Sequence, residues 1–258
     1  KGCPVDGTSP QWYHVARQFL IRHSVGSAPY PEEAHMISVN PRINTISNEL
    51  IEAYRTIVPA SLGHVLDSGL DAAIHAIWKP VKLVGPALTV QTYPQVDTAV
   101  SRALEIARPG DVLVLNRGGD TRIANWGEFA AVGAIEAGVV GLVSDGVVTD
   151  QSALRRLNFP AFARGVTALT IKRRGVEEGA VNVPVTVGGI VICPGDLVIA
   201  DEDGVVIVPP GYAAGLLGFC QELEEREAWM RTQLEDGRTY SDLRNERPMP
   251  RLPDLMLP

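Results

Sequence analysis

The sequence predicts a layered α/β/β sandwich with extensions at both ends, and three observations carry that prediction. Two short runs, 111–115 and 139–144, are almost continuously apolar, as strands buried on both faces are. Helical patterns at 98–107, 127–137 and 152–157 alternate with them. From 161 onward the chain turns strand-rich, with runs at 161–163, 183–187, 189–191, 196–200 and 204–208. Helices alternating with buried strands, then a run of strands, form a helical layer on one sheet and further strands on its other face.

Taken in order, residues 1–45 mix Pro, Ser and His and read as an arm. Within it Trp12, Val15, Phe19 and Leu20 share one face of a short helix at 12–23, which the stretch from Ser27 to Pro31 breaks. The central domain, 46–210, opens with helical patterns at 46–57 and 61–70. The branched, partly alternating run at 82–91 then reads as a strand. Pro109-Gly110 ends the helix at 98–107. The last zone, 211–258, starts with a Glu- and Arg-rich helix at 212–234 carrying Leu216, Leu217, Leu223 and Trp229. It closes in a tail from Glu246 with too many prolines for regular structure.

The chain has 258 residues, is 45% hydrophobic and carries a net charge of -7. That charge argues against nucleic acid as a partner, because phosphate binding needs surplus Lys and Arg. The runs Arg155-Arg156 and Lys172-Arg173-Arg174 read as solvated surface. No apolar run is long enough to span a bilayer, so no membrane partner is expected. Cys3, Cys193 and Cys220 are an odd set without C-x-x-C spacing, which excludes a zinc ribbon and predicts a reducing, cytoplasmic setting. Cys193, in an apolar run, reads as a small core residue.

Two constellations bear chemistry. Gly118-Gly119-Asp120 follows the buried strand at 111–115, where glycines let the backbone turn tightly and approach a ligand. The helix opening at Gly127 points free N–H groups outward and favours a carboxylate there. An ordinary strand-to-helix turn is the alternative. The second constellation is Asp145-Gly146 through Thr149-Asp150. Asp145-Gly146 reads as a turn pair. Asp150 is either a metal-binding carboxylate, paired with Glu128, or the N-cap of the helix at 152–157.

Trp126-Gly127-Glu128 followed by Thr149-Asp150 resembles the D-x20-R-D signature of the class II pyruvate aldolases in the RraA-like family, which includes 4-hydroxy-4-methyl-2-oxoglutarate aldolase. The resemblance runs from about Pro59 to Leu243. It includes Arg108-Pro109-Gly110-Asp111, Phe162-Ala163-Arg164-Gly165, Pro194-Gly195-Asp196 and Asp201-Glu202-Asp203-Gly204 in the family's order. It implies a swivelling-domain-like sandwich and a homotrimer or dimer of trimers, with active sites at subunit boundaries. It also implies a Mg²⁺ or Mn²⁺ ion on Asp150, with Glu128 orienting metal-bound water. The backbone N–H groups of Phe129 and Ala130 would bind the carboxylate of a small organic acid, a 2-oxo or hydroxy dicarboxylate. A further carboxylate from a neighbouring subunit's C-terminal part corresponds to Glu224 or Glu227, each otherwise part of a solvated charged face.

The family's arginine is Thr149 in this chain, a neutral donor in place of a fixed charge. Three consequences stand open. Another arginine reaches in, with Arg122 and Arg117 the nearest in sequence and otherwise surface residues; the substrate differs; or aldolase chemistry is lost. The expected function is therefore a metal-dependent carbon–carbon lyase with Glu128, Asp150, Thr149 and Arg122 in catalytic places. Gly118, Gly119, Asp120, Gly127, Phe129 and Ala130 would bind substrate. The rivals are a non-catalytic regulatory binding protein and a tautomerase, dehydratase or hydrolase on the same scaffold.

Overall fold

The computed structural model describes residues 37–42, 46–93, 98–172 and 178–252. The arm helix at 12–23, Cys3, Arg173, Arg174 and the tail from 253 lie outside the described residues. The first elements are β1 (Ser38–Val39), α1 (Asn48–Tyr54), α2 (Pro59–Leu62), β2 (His75–Ala76) and β3 (Leu83–Gln91). An alternating stretch follows: α3 (Thr98–Ile106), β4 (Val112–Asn116), α4 (Glu128–Glu136), β5 (Gly141–Ser144), α5 (Gln151–Arg156) and β6 (Ala161–Ala163). Then come β7 (Ala180–Val181), β8 (Val185–Val187), β9 (Ile190–Ile192), β10 (Leu197–Asp201) and β11 (Gly204–Val208), before α6 (Pro210–Glu235) and α7 (Tyr240–Glu246).

The central sheet is mixed. β3, β4, β5 and β6 run parallel. β3 is long enough to serve two neighbours in turn on one edge, β10 and then β7 at Val90 and Gln91, with β4 on the opposite edge. Its first half pairs antiparallel with β10, from Leu83↔Ala200 to Pro86↔Leu197, and its second half pairs parallel with β4, from Ala87↔Val112 to Gln91↔Asn116. β10 also pairs with β11.

Period-2 alternation distributes these strands between cores. On β4, Leu113 and Leu115 enter one cluster with Trp126, Ala131, Ala134 and Leu154, on the side of α3, α4 and α5. Val112 and Val114 enter another with Val187, Ile192, Val198 and Ile207, contributed by the β8–β9 hairpin and the β10–β11 pair. A third cluster lies beyond β10 and β11, where Ile199 and Val206 meet Tyr54, Leu62, Leu216, Cys220 and Leu223 of α1, α2 and α6. The mixed α/β class predicted from sequence is the one observed, with a further helical layer formed by α1, α2 and α6.

Two expectations are corrected. The helix at 61–70 stops at Leu62. Beyond it Gly69 bridges Val206 and the Leu70 amide donates to Val205 O at 2.9 Å, so pairing with the free edge of β11 replaces helical bonds. Cys193 is exposed rather than core, because Ile192 faces inward and its two neighbours therefore face out. Between the long helix and the tail lies one more regular element, α7, whose Thr239 hydroxyl accepts from the Asp242 amide at 3.3 Å. No described helix is long and apolar enough to cross a membrane.

Glu224 is bound within its own chain. Its Oε1 accepts from the Val58 amide and from the Ser61 hydroxyl, both at 2.9 Å, and so ties α6 to the start of α2. Glu224→Ala is expected to lower stability by about 1–2 kcal/mol, measured by urea unfolding. A change indistinguishable from zero would rule out this cap as a stabilising contact.

Candidate active site at the carboxyl ends of β4 and β5

In open parallel α/β sheets the loops beyond the carboxyl ends of the strands form the ligand-binding crevice. Here those loops are 117–127, after β4, and 145–150, after β5. They are joined by two contacts. The Thr149 amide donates to Trp126 O at 2.9 Å. The Glu128 amide donates to Asp150 Oδ2 at 3.0 Å. Glu128 and Asp150 are thereby brought together, 22 positions apart in sequence.

Asp150 occupies the N-cap position of α5 but its side chain makes no capping bond. Its backbone is left-handed, at φ 57 and ψ 38, and its exposed carboxylate turns instead to α4. Oδ1 accepts from the Thr149 hydroxyl at 3.2 Å. A non-glycine residue in this conformation costs energy that its surroundings must offset, and such residues cluster at functional sites. The capping alternative is thus replaced by a carboxylate held across two loops. Gly127 permits the approach, since a Cβ there would lie 2.4 Å from Asp150 Oδ2.

Glu128 opens α4, and its Oε1 accepts from Arg156 Nη2 at 2.5 Å. Arg156 lies at the end of α5 and is exposed, as its solvated-surface reading expects, yet it reaches across to α4. Phe129 and Ala130 follow Glu128 in the first turn, where amides have no acceptor within a helix. Phe129 is 86% exposed, and Val132 and Ile135 on the same face are 47% and 44% exposed.

The 117–120 loop is organised from beneath. Gly118 and Gly119 are both left-handed, at φ 63 and 71. Their amides are engaged internally, Gly118 N on Asn116 Oδ1 at 2.8 Å and Gly119 N on Asp145 Oδ2 at 3.0 Å. Asp145 also accepts from the Arg117 amide at 2.5 Å. Burial pushes the Asp145 carboxyl above its ordinary range despite these bonds. Asp145 is therefore more than half of a turn pair: it clamps the loop. The surface reading of Arg117 is also corrected. Its guanidinium is fully buried, donating to Ile123 O at 2.7 Å and Asp120 Oδ2 at 3.2 Å. Asp120 Oδ1 accepts from the Arg122 amide at 2.8 Å, so this carboxylate too is used within the loop. Arg122 itself is exposed.

Asn125 and Trp126 add buried polar atoms: both ends of the Asn125 amide and Trp126 Nε1 have no partner. The Trp126 ring stacks on Phe159 with centroids 5.8 Å apart. A cavity of about 420 Å³ lies elsewhere, lined by Arg42, Arg55, Arg108 and Asp111 before the start of β4. The strand ends are the candidate site nonetheless, because the Asp150 carboxylate meets the start of α4 there and the Asp150 backbone is left-handed. In a single chain that site is an open face.

The RraA-like family profile, described as Aldolase/RraA, matches residues 50–207, which span both loops. A protein of Halalkalibacterium halodurans, provisionally named 4-hydroxy-4-methyl-2-oxoglutarate aldolase, is 37% identical over 182 residues, covering 70% of this chain and 84% of that protein. Among solved structures, an uncharacterized protein from Pseudomonas syringae superposes with a TM-score of 0.68 at 28% identity, covering 78% of this chain and 100% of that one. Streptomyces coelicolor RraAS2, described as an unusual member of the RNase ES inhibitor RraA protein family, gives 0.65 at 29% identity, covering 73% and 99%. With its sheet order, its paired loops and more than half its length matched, the chain belongs to the RraA-like family of aldolases and RraA proteins.

Proposed function

We propose that the chain is a divalent-metal-dependent lyase of the class II pyruvate aldolase type. It cleaves a carbon–carbon bond in a small 2-oxo or hydroxy dicarboxylic acid, or decarboxylates oxaloacetate by the same enolate logic. One observation carries this reading: Asp150 turns its carboxylate away from the helix it precedes, against the amide of Glu128, at an exposed position. Kinship with a relative provisionally named as an aldolase supports it.

The donor set fits a hard ion. Among the described residues no three His, Cys, Asp or Glu side chains cluster as a closed metal cage. Zinc in structural sites takes four protein ligands, whereas Mg²⁺ is commonly bound through one or two carboxylates and keeps several waters. Asp150 would hold Mg²⁺ or Mn²⁺, with Glu128 beside it. When bound, the cation supplies positive charge to an oxyanion developing on the substrate.

The remaining work falls to the chain. The first-turn amides of Phe129 and Ala130 bind the substrate carboxylate at the positive end of α4. Thr149 keeps Asp150 oriented through its hydroxyl. Glu128 Oε2, opposite the oxygen that Arg156 takes, orients water. The Gly118–Gly119–Asp120 loop forms the wall, and Arg122 stands at its exposed rim. Because Phe129, Val132 and Ile135 form an uncovered apolar stripe next to the site, a neighbouring copy completes it in a homotrimer or dimer of trimers.

Pyruvate release from 4-hydroxy-4-methyl-2-oxoglutarate and from oxaloacetate tests the reading. Release is expected with Mg²⁺ or Mn²⁺, lost with EDTA, and lowered at least about a hundredfold in Asp150→Ala. Metal-independent release, or an Asp150→Ala variant as active as the parent, would sink it. Likeness to RraAS2 supports a second reading, a non-catalytic regulatory binder, which predicts neither release nor cation binding.

A further inference from the structure

We propose that Arg156 is the specificity-determining residue that recognises the second carboxylate of the substrate. This rests on the lyase reading above. Arg156 ends the helix that Asp150 begins, and its Nη2 donates to Glu128 Oε1 at 2.5 Å. Both side chains are open to water, 64% and 47% exposed. Ion pairs so exposed contribute little to folding, so stability does not explain this one. Its position does: it sets a cation on Glu128, whose amide holds Asp150.

A dianionic substrate faces repulsion there. The chain carries a net charge of -7, and the site presents two carboxylates. Thr149 offers only a hydroxyl, already directed to Asp150 Oδ1. Arg117 is buried and committed to Asp120 and Ile123. Among the described residues Arg156 is the arginine that reaches Glu128. Its planar fork has five N–H donors and matches a carboxylate bidentately. Of these, the contact with Glu128 uses one. An incoming carboxylate takes the free donors or displaces Glu128 Oε1. Exchange of one carboxylate for another conserves the ion pair while freeing Glu128 to act on the substrate. No bond is made or broken in this step.

The test is calorimetric titration of the intact protein, with Mg²⁺ present, against 2-oxoglutarate and 2-oxopentanoate. These share a five-carbon 2-oxo acid skeleton and differ in the second carboxylate. The parent is expected to prefer 2-oxoglutarate. Arg156→Gln should weaken 2-oxoglutarate about tenfold and leave 2-oxopentanoate within about twofold, with Arg156→Lys recovering part of the loss. Arg122→Gln should leave the preference in place. Equal binding of the two acids by the parent, no binding of either, an equal loss for both in Arg156→Gln, or a preference that follows Arg122 would overturn the assignment. Pyruvate release separates the two proposals. Normal metal-dependent release with a preference untouched by Arg156→Gln defeats only this inference. A preference that depends on Arg156 without any release defeats only the lyase reading.

Discussion

Gly127→Ala is expected to lower turnover by about a hundredfold while the fold still assembles. The difficulty is space rather than backbone conformation, since Gly127 is extended at φ -158, which any residue adopts. An added Cβ would lie 2.4 Å from Asp150 Oδ2 and 2.6 Å from Thr149 Cγ2. Both distances are well inside van der Waals contact, so something must move. What can move is the 149–150 loop, because Glu128 is fixed as the start of α4. Displacing Asp150 by about 1 Å breaks its bond to the Glu128 amide, and misplacements of that size typically cost about a hundredfold in rate. The stability cost should stay at about 1–3 kcal/mol, as for other overpacked positions. Pyruvate release, Mg²⁺ binding and thermal melting on the same variant separate the outcomes. A folded Gly127→Ala protein with parental activity and affinity would mean that the Glu128–Asp150 contact is not the working geometry.

The contact itself was reachable from sequence for a physical reason. Between Glu128 and Asp150 the chain runs along α4 and returns along β5. Nine helical residues and four strand residues each cover about 13 Å, so the return leg cancels the outward one. The elements involved were legible because their patterns are strong: β4 and β5 read as apolar runs since each face meets a different core. The helix misplaced at 61–70 shows the limit. Its local pattern is helical, but the open edge of β11 offers backbone partners that no local signal announces. α7 has a local signal of its own, Thr239 three residues before Asp242, which resembles a capping box. The burial of Arg117 and the reach of the exposed Arg156 to Glu128 are tertiary properties that no local pattern encodes. One sits under a loop, the other extends across from a different helix. Likewise nothing local reveals that Asp150 adopts a left-handed backbone and leaves its helix uncapped.

Asp145→Ala is expected to be the more damaging change for stability, by about 3–5 kcal/mol in urea unfolding. The carboxylate is buried and accepts from two amides, Arg117 N and Gly119 N. Removing it leaves both donors without a partner in a place water does not reach. It also strips a nearby negative charge from the buried Arg117 guanidinium, whose Nε and Nη1 already have no partner. Arg117→Met should cost less, about 1–3 kcal/mol, because Asp145 keeps its amides and the less enclosed Asp120 keeps the Arg122 amide. The pH dependence has a definite sign. Burial raises the folded carboxyl above its unfolded value. Its titration therefore contributes stability that is full below about pH 4 and is lost as pH rises through the raised value. Asp145→Asn lacks that component, so the parent's advantage over it should shrink as pH rises across this window. Because Gly118 and Gly119 are held in left-handed conformations partly by this carboxylate, Asp145 variants should also lose activity at temperatures where they remain folded. Should Arg117→Met prove the costlier substitution, the guanidinium rather than the carboxylate anchors the wall of the site.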